Sequence, residues 1–552
     1  MRRQTGYFRE LVIYDIFSYF HTSYIVALEK FEIGNDATRA KIRKGKSNRS
    51  RFSYGDIEYV RSYWKSEIGL LPRLGDSIRS TCYSSGFYCT KWYGPGAIAA
   101  YMLKHNSTDK KMSKHNPTQF PSTVRVARQY AYAGGRFEPF KAGVYYGDVF
   151  VVDLNSAYVA AMRCLPRLDR GKWSRIDPRY ARHHIVDFGL YRIDFADKTP
   201  WSLDRMPYPL FHRARDGTMS WPARTGGWYW GPEARNVVDD SRARFLEAWE
   251  FSDSEPAFPW VEDYYRARLI LQHAGNPAER TYKWGLAAQY GRFAQQVGWN
   301  QKTRLEPSSH QIEWAGFITS WCRAQMQAVA MWAARMDGLI SIDTDGITSL
   351  TPFSDSLVIG ENLGEWKSET YHGIIQWQNG VYWLLNSKGQ WISKSRGLKR
   401  GSAPPVQQVI RAVEGMESRR RRDGESPGDW FRRQQECSFD VPRRRYIGYK
   451  EAAHNTSWDR WRQWEDSEYT AVFGGESHNS VSCRRCNALA LGRETSTLPL
   501  HDVRKRPSTD SAFSHKYALP WLEAAAEYTD PEGSHMIDYD TGGYLGIFPD
   551  EE

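Results

Sequence analysis

An uninterrupted apolar run of β-formers, Val149-Phe150-Val151-Val152, stops at Asp153. A run without polar alternation reads as a strand buried on both faces, so the chain must build a sheet with packing on either side of it. A carboxylate at the end of so rigid an element is well placed to hold a metal ion, and Tyr158, five residues on, can wall a pocket beside it. The plain alternative is a turn or cap role. Almost two hundred positions later, residues 338–350 read as two strands about an Asp345-Gly346 turn, and Asp343-Thr344-Asp345-Gly346 gives that hairpin tip two more carboxylates.

The helical readings come from periodicity and caps. Tyr59, Tyr63, Ile68, Leu71 and Leu74 keep near-helical spacing over 55–80, and 310–335 reads as another long helix. Asn276-Pro277-Ala278-Glu279 is a helix start, with Asn suited to the N-cap and Pro to the first turn; that helix is expected to run to Tyr290 and stop at Gly291. On it, Lys283, Ala287 and Tyr290 fall at i, i+4 and i+7. One face therefore carries a cation, a small residue and an aromatic, suited to a phosphate tail and a base pair, where a solvated lysine is the ordinary alternative.

Composition narrows the class. The 552 residues are 41% hydrophobic and 25% charged, which fits a large globular chain rather than a disordered one. No apolar stretch reaches membrane-spanning length and the first residues lack a signal-peptide core, so a soluble cytoplasmic protein, with no membrane partner, is expected. Seven thinly spread cysteines agree with a reducing compartment. The net charge of +11 favours a polyanionic partner, although it is a weak signal alone.

The three acidic and basic clusters, in this order, resemble the motifs of the family B DNA polymerases, particularly the shorter type of phages, plasmids and organelles. Motif A, D-x-x-S-L-Y-P, is matched by Asp153, Ser156, Ala157, Tyr158 and Val159. Motif B, K-x-x-x-N-S-x-Y-G, is matched by Lys283, Tyr290 and Gly291, with Ala287 and Ala288 where Asn and Ser are usual. Motif C, often Y-G-D-T-D-S, is similar to Ser341-Ile342-Asp343-Thr344-Asp345-Gly346. Tyr132-Ala133-Gly134-Gly135 resembles the Y-x-G-G element, and Trp92 to Ala97, Ile318-Thr319 with Arg323, and Lys394-Ser395-Arg396-Gly397 are further similar stretches. The resemblance covers roughly residues 10 to 450.

What the resemblance implies is an α+β right-hand polymerase with an antiparallel palm sheet, helical fingers and thumb, and a remnant N-terminal exonuclease-like lobe. The expected parts are a truncated lobe at 1–115, a linker with the Y-x-G-G element at 116–148, palm at 149–262, fingers at 263–300, palm again at 301–400, and thumb with a C-terminal extension at 401–552. The implied reaction is two-metal phosphoryl transfer from a deoxynucleoside triphosphate to a primer hydroxyl, with two Mg2+ ions on Asp153, Asp345 and the carbonyl of Leu154, and Asp343 in support. Around the nucleotide it implies Lys283, Tyr158, Ser156 and Tyr290. Arg268 is either a second phosphate ligand or an exposed structural arginine, and Tyr158 either excludes a ribose 2′-hydroxyl or packs in the core. Template and primer contacts are implied for Tyr132, Gly134, Gly135, Lys394, Arg396, Arg443 and Arg444; a terminal or priming protein is a further partner of such enzymes.

The alanines at 287 and 288 leave open a second reading, a weak or inactive polymerase-like DNA-binding protein. Proofreading is not expected: Val12 to Phe17 resembles a segment already deep inside the exonuclease domain, Glu67 stands for the Asp of its Y-x-x-x-D motif, and the Asp56-Ile57-Glu58 triplet falls at or on the same helix as Glu67. Arg419 to Arg422, Arg432, Arg433 and Arg443 to Arg445 form a basic belt that either grips a duplex or is a solvated face. Zinc at Cys483 and Cys486 is not expected, because a single C-x-x-C has no regularly spaced second pair.

Overall fold

The computed structural model describes residues 14, 16–20, 23–48, 52–112, 119–141, 143–197, 207–213, 219–222, 224–252, 255–294, 309–378, 380–395, 405–417, 438–446, 464–472, 536–538 and 543–545. The chain forms two compact units, Met1–Lys114 with Phe258–Gln295, and His115–Ala257 with Gln296–Glu552. The first unit takes in most of the residues expected as N-terminal lobe (1–115) and as fingers (263–300).

All the regular secondary structure among the described residues of the first unit is helical. It contains α1 (Tyr24–Lys30), α2 (Asp36–Ser47), α3 (Ile57–Ser84), α4 (Pro95–His105), α5 (Thr108–Met112), α10 (Val261–His273) and α11 (Glu279–Phe293). In α3 the buried stripe is Tyr63, Leu70, Leu74, Ile78 and Cys82, while Ile68 and Leu71 are 48% and 46% exposed. The helix was legible; its inward face was not, because both stripes keep helical spacing. The start of α11 also shifts. Asn276 caps from outside, its Oδ1 accepting the Ala278 N–H at 2.9 Å, and helical pairing begins at Glu279. Gly291 does not end the helix, which continues to Phe293: the glycine keeps helical φ on an exposed face, and nothing there demands a left-handed residue. The inner face of α11 meets α4 closely at Gly285, where a Cβ would lie 2.4 Å from the Met102 methyl.

The second unit is built on a seven-stranded antiparallel sheet, ordered β1-β9-β10-β2-β11-β12-β13. Its members are β1 (Phe137–Pro139), β2 (Gly143–Leu154), β9 (Leu339–Asp343), β10 (Gly346–Ser349), β11 (Trp366–Gln378), β12 (Val381–Leu385) and β13 (Trp391–Ser395). On one face, Val152 and Leu154 of β2, Ile342 and Ile347 pack against Cys322, Met326 and Ala330 of α12 (Ile312–Arg335). On the other, Val149, Ile340, Ile374 and Leu384 form a smaller cluster. The central strand is thus covered on both sides, as its apolar run required. Helix α12 is apolar nearly all round and correspondingly enclosed; side chains such as Phe317 and Ile318, both fully buried, each contribute about 1.5–3 kcal/mol.

A second antiparallel sheet, ordered β3-β8-β4-β7, comprises β3 (Trp173–Ile176), β4 (Gly189–Ala196), β7 (Arg224–Trp230) and β8 (Ala243–Phe251). Tyr191, Phe195, Trp221 and Tyr229 fill its core. The pair β5 (His212–Arg213) and β6 (Met219–Ser220) and the short helices α6 (Ser122–Tyr130), α7 (Ala157–Met162), α8 (Pro178–Ala181) and α9 (Gly231–Arg235) complete this part. Further along are α13 (Val406–Glu417) and the hairpins β14 (Ser438–Tyr446) with β15 (Trp464–Val472), and β16 (Met536–Asp538) with β17 (Gly543–Leu545).

Candidate active site

Sheet register brings the acidic residues together. Gly346, the first residue of β10, stands opposite Asp153 on β2 and opposite Asp343 on β9. Residues directly across antiparallel strands share a face, so Asp153 and Asp343 flank one glycine on one side of the sheet. The reason for glycine is space rather than dihedral freedom: a Cβ at 346 would lie 2.2 Å from Asp153 Oδ1. The turn is not Asp345-Gly346 as the sequence suggested. Its two loop residues are Thr344 and Asp345, and the positive φ, 60°, belongs to Thr344. The Leu154 N–H donates to the Asp345 carbonyl at 2.7 Å, tying the hairpin tip to the end of β2.

Asp153 is open by surface area yet recessed among protein atoms. Its carboxyl is pushed above the usual range, first by lost hydration, then by the Asp345 and Glu369 charges, against the opposing pull of Lys367 and Lys394. Lys367 lies directly across β11 from Asp153, pairs with Glu369, and Glu369 also accepts from the Tyr371 hydroxyl at 2.6 Å. Lys394, expected at the DNA, is exposed on β13 and within electrostatic range of Asp153 and Glu369. Sequence reasoning missed Lys367 and Glu369. Their signal was the alternation Lys367, Glu369, Tyr371 along a strand, which puts all three on one face.

Below the hairpin runs the Tyr132 to Arg136 strap. Tyr132 is buried, and the Ala133 and Gly134 carbonyls accept from Arg323 Nη1 at 2.8 and 2.6 Å. Arg323 is also held by Glu233 through two hydrogen bonds of 2.8 and 2.6 Å, and both side chains are enclosed. Gly135 sits against Thr344, and the Arg136 carbonyl accepts the Thr344 N–H at 2.7 Å. The Arg136 guanidinium, pulled down by burial and held up by Glu138, donates to Glu138 at 2.6 Å and to Gln327 of α12.

Ser156 takes φ 49° at the start of α7, and the neighbouring Asn155 side chain donates to the Gly360 carbonyl at 2.7 Å. Tyr158 is half-buried and packs on the Val152, Leu154 and Cys322 cluster. In the first unit, Lys283 and Ala287 are exposed on one face of α11, with Tyr290 partly so. Arg268 lies 3.6 Å from the Glu279 carboxylate and over the Tyr265 ring. Arg396, Cys483 and Cys486, with the arginines at 419–422 and 432–433, fall outside the described residues. Arg443 and Arg444 lie on β14, in backbone register with Ser467 and Asp466 of β15.

Among the described residues no group of three or more His, Cys, Asp or Glu is arranged to hold a metal ion, so any cation here relies on a carboxylate pair with backbone and substrate oxygens. That donor set is hard oxygen, and the Asp153 carboxyl, raised first by lost hydration and then by the Asp345 charge, is one that a divalent cation would stabilise in its ionised form. No helix among the described residues is long and apolar enough to cross a membrane.

An antiparallel sheet packed with helices is an α+β fold, and solved structures resemble it. Phi29 DNA polymerase, in a structure with primer-template DNA and incoming nucleotide, superposes with a TM-score of 0.50 over 78% of each chain at 16% identity, a likeness of fold. Its orthorhombic crystal form gives a TM-score of 0.48 at 17% identity, over 66% of this chain and 73% of that one. Residues 55–313 match the family profile of DNA polymerase type B, organellar and viral. A protein of Acidianus bottle-shaped virus (isolate Italy/Pozzuoli), named DNA polymerase, is 33% identical over 70% of this chain and 57% of its own length. Both likenesses are to DNA polymerases, the profile being that of the type B enzymes of the organellar and viral kind. It spans a little over half the length of that viral relative.

Proposed function

We propose that the chain is a template-directed DNA polymerase that extends a primer hydroxyl with deoxynucleotides. The observation that carries this reading is the backbone link from Leu154 to Asp345, which ties the hairpin tip to the end of β2 beside Asp153, in a chain similar to this family. In the reaction the primer hydroxyl attacks the α-phosphate and pyrophosphate leaves. Asp153, Asp345 and the Leu154 carbonyl would hold two Mg2+ ions, which when bound supply charge neutralisation and activate the hydroxyl. Asp343 supports the pair from across Gly346. Lys283 meets the triphosphate, Tyr158 stacks beneath the sugar, and Tyr290 lies by the base pair. The seven-stranded sheet serves as palm, 263–300 as fingers, 401–552 as thumb, and 1–115 as a remnant exonuclease-like lobe.

Asp56, Glu58 and Glu67, the carboxylates weighed for proofreading, support its lack, because each has a partner of its own. Asp56 accepts from Ser53 N and Oγ at 2.8 and 2.7 Å, Glu58 pairs with Arg61 and Glu67 with Lys46, both at 2.6 Å. Primer-template DNA and deoxynucleoside triphosphates are the partners, with a terminal protein as an optional primer. Ala287 and Ala288 favour the second reading, a DNA-binding relative without turnover. Primer extension separates them: wild type adds nucleotides and Asp345→Ala loses at least ~10³-fold, roughly 4 kcal/mol of transition-state stabilisation. Two inert proteins that both bind duplex would leave the binding reading standing.

A further inference from the structure

We infer that Arg136 is a positioning residue for the carboxylate pair, acting through the left-handed Thr344; the inference rests on the function just proposed. A β-branched residue at φ 60° is a conformation that surrounding contacts must impose. Two such contacts come from one strap. The Arg136 carbonyl accepts the Thr344 N–H at 2.7 Å, and Gly135 approaches so closely that a Cβ there would lie 2.6 Å from Thr344 Cγ2. The next residue along the turn is Asp345, whose own carbonyl takes the Leu154 N–H. A displacement at 344 therefore reaches both sides of the acidic pair.

Arg323 holds the strap at Ala133 and Gly134, and the far end of Arg136 holds it beside the turn. The Arg136 side chain is fully enclosed, bonded to Glu138 on β1 and to Gln327 on α12, with its guanidinium 4.9 Å from the centre of the Trp221 ring. Gln327 is fixed in turn by donating to the Pro207 carbonyl at 2.8 Å. One residue thus spans from a sealed ion pair in the core to the backbone of the hairpin tip. The side chain holds the carbonyl, and the carbonyl holds the turn.

The test starts from full-length Arg136→Met/Glu138→Met, which removes both buried charges together so that neither is stranded. Mn2+ binding without DNA or nucleotide, read by electron paramagnetic resonance, is expected to weaken at least tenfold. kcat for primer extension should fall at least tenfold while KM for primer-template stays within twofold. Adding Thr344→Gly, which accepts positive φ without a clamp, should restore Mn2+ binding. Unchanged Mn2+ affinity in the folded double variant, or no recovery on adding Thr344→Gly, overturns the inference. Should the double variant not fold, Gly135→Ala presses on Thr344 with every buried charge left in place, and an unaltered Mn2+ affinity there is equally fatal. Hydrogen exchange at the Thr344 amide reads the clamp independently of chemistry. If wild type neither binds Mn2+ nor extends a primer, the polymerase reading fails, and faster exchange in the variants still decides the positioning role.

Discussion

Arg323 with Glu233, and Asp153 with Asp345, are two charge clusters of the same unit handled in opposite ways. In the first, unlike charges are sealed from water with both carboxylate oxygens accepting from one guanidinium. In the second, like charges face each other at an exposed hairpin tip, and the Asp153 carboxyl is pushed up first by lost hydration and then by the Asp345 charge. The sealed pair holds the strap in place: Arg323 also grips the Ala133 and Gly134 carbonyls. The open pair stores unfavourable energy that a cation can release. Rigidity comes from unlike charges, the proposed affinity for metal from like ones, and the strap connects the two.

The comparison predicts its sharpest break at Glu233. Glu233→Ala leaves the Arg323 guanidinium buried and uncompensated, and should cost about 3–5 kcal/mol in urea unfolding, with much of the loss recovered by adding Arg323→Met. A loss under about 1 kcal/mol would make the sealed pair unimportant. Next in size is Gly346→Ala, whose methyl must displace Asp153 Oδ1 from 2.2 Å; overpacking of this kind costs about 1–3 kcal/mol, and metal affinity should fall with it.

The smallest effect has the opposite sign. Because the pKa of Asp153 is raised, unfolded protein loses this proton first as pH rises, so stability falls across that window and the penalty is full above the folded pKa. Asp345→Asn removes part of the cause. Without divalent cation near neutral pH it should therefore stabilise, by less than about 1 kcal/mol given how open the site is, and the gain should vanish in acid. Thermal melts with chelator across pH would show it; destabilisation at neutral pH would mean that the two carboxylates do not repel.

Features set by short-range pattern were legible. The apolar run ending in Asp153, the 312–335 helix and a hairpin carrying Asp343 and Asp345 all depend on residues near in sequence. Features set by a neighbour were not. The exposed Ile68 and Leu71 share their spacing with the buried stripe of α3, and Gly291 looks like a stop where the helix simply continues. The Asp-Gly pair looked like the turn, yet contacts from Gly135 and Arg136 place the left-handed residue at Thr344. Arg136, Glu138 and Glu233 carried no signal, since an isolated charged residue in a sequence reads as surface.

Sequence alone determined a buried strand ending in Asp153, a hairpin carrying Asp343 and Asp345 and several long helices, because hydrophobic periodicity and turn chemistry act over a few residues; the antiparallel α+β fold was what the family resemblance implied. Only the tertiary structure decided that Asp153, Asp343 and Gly346 share one line across three strands, and that a buried arginine braces the turn beside them. Register and burial are properties of partners far apart along the chain, and the energy of a charge depends on which partner it meets.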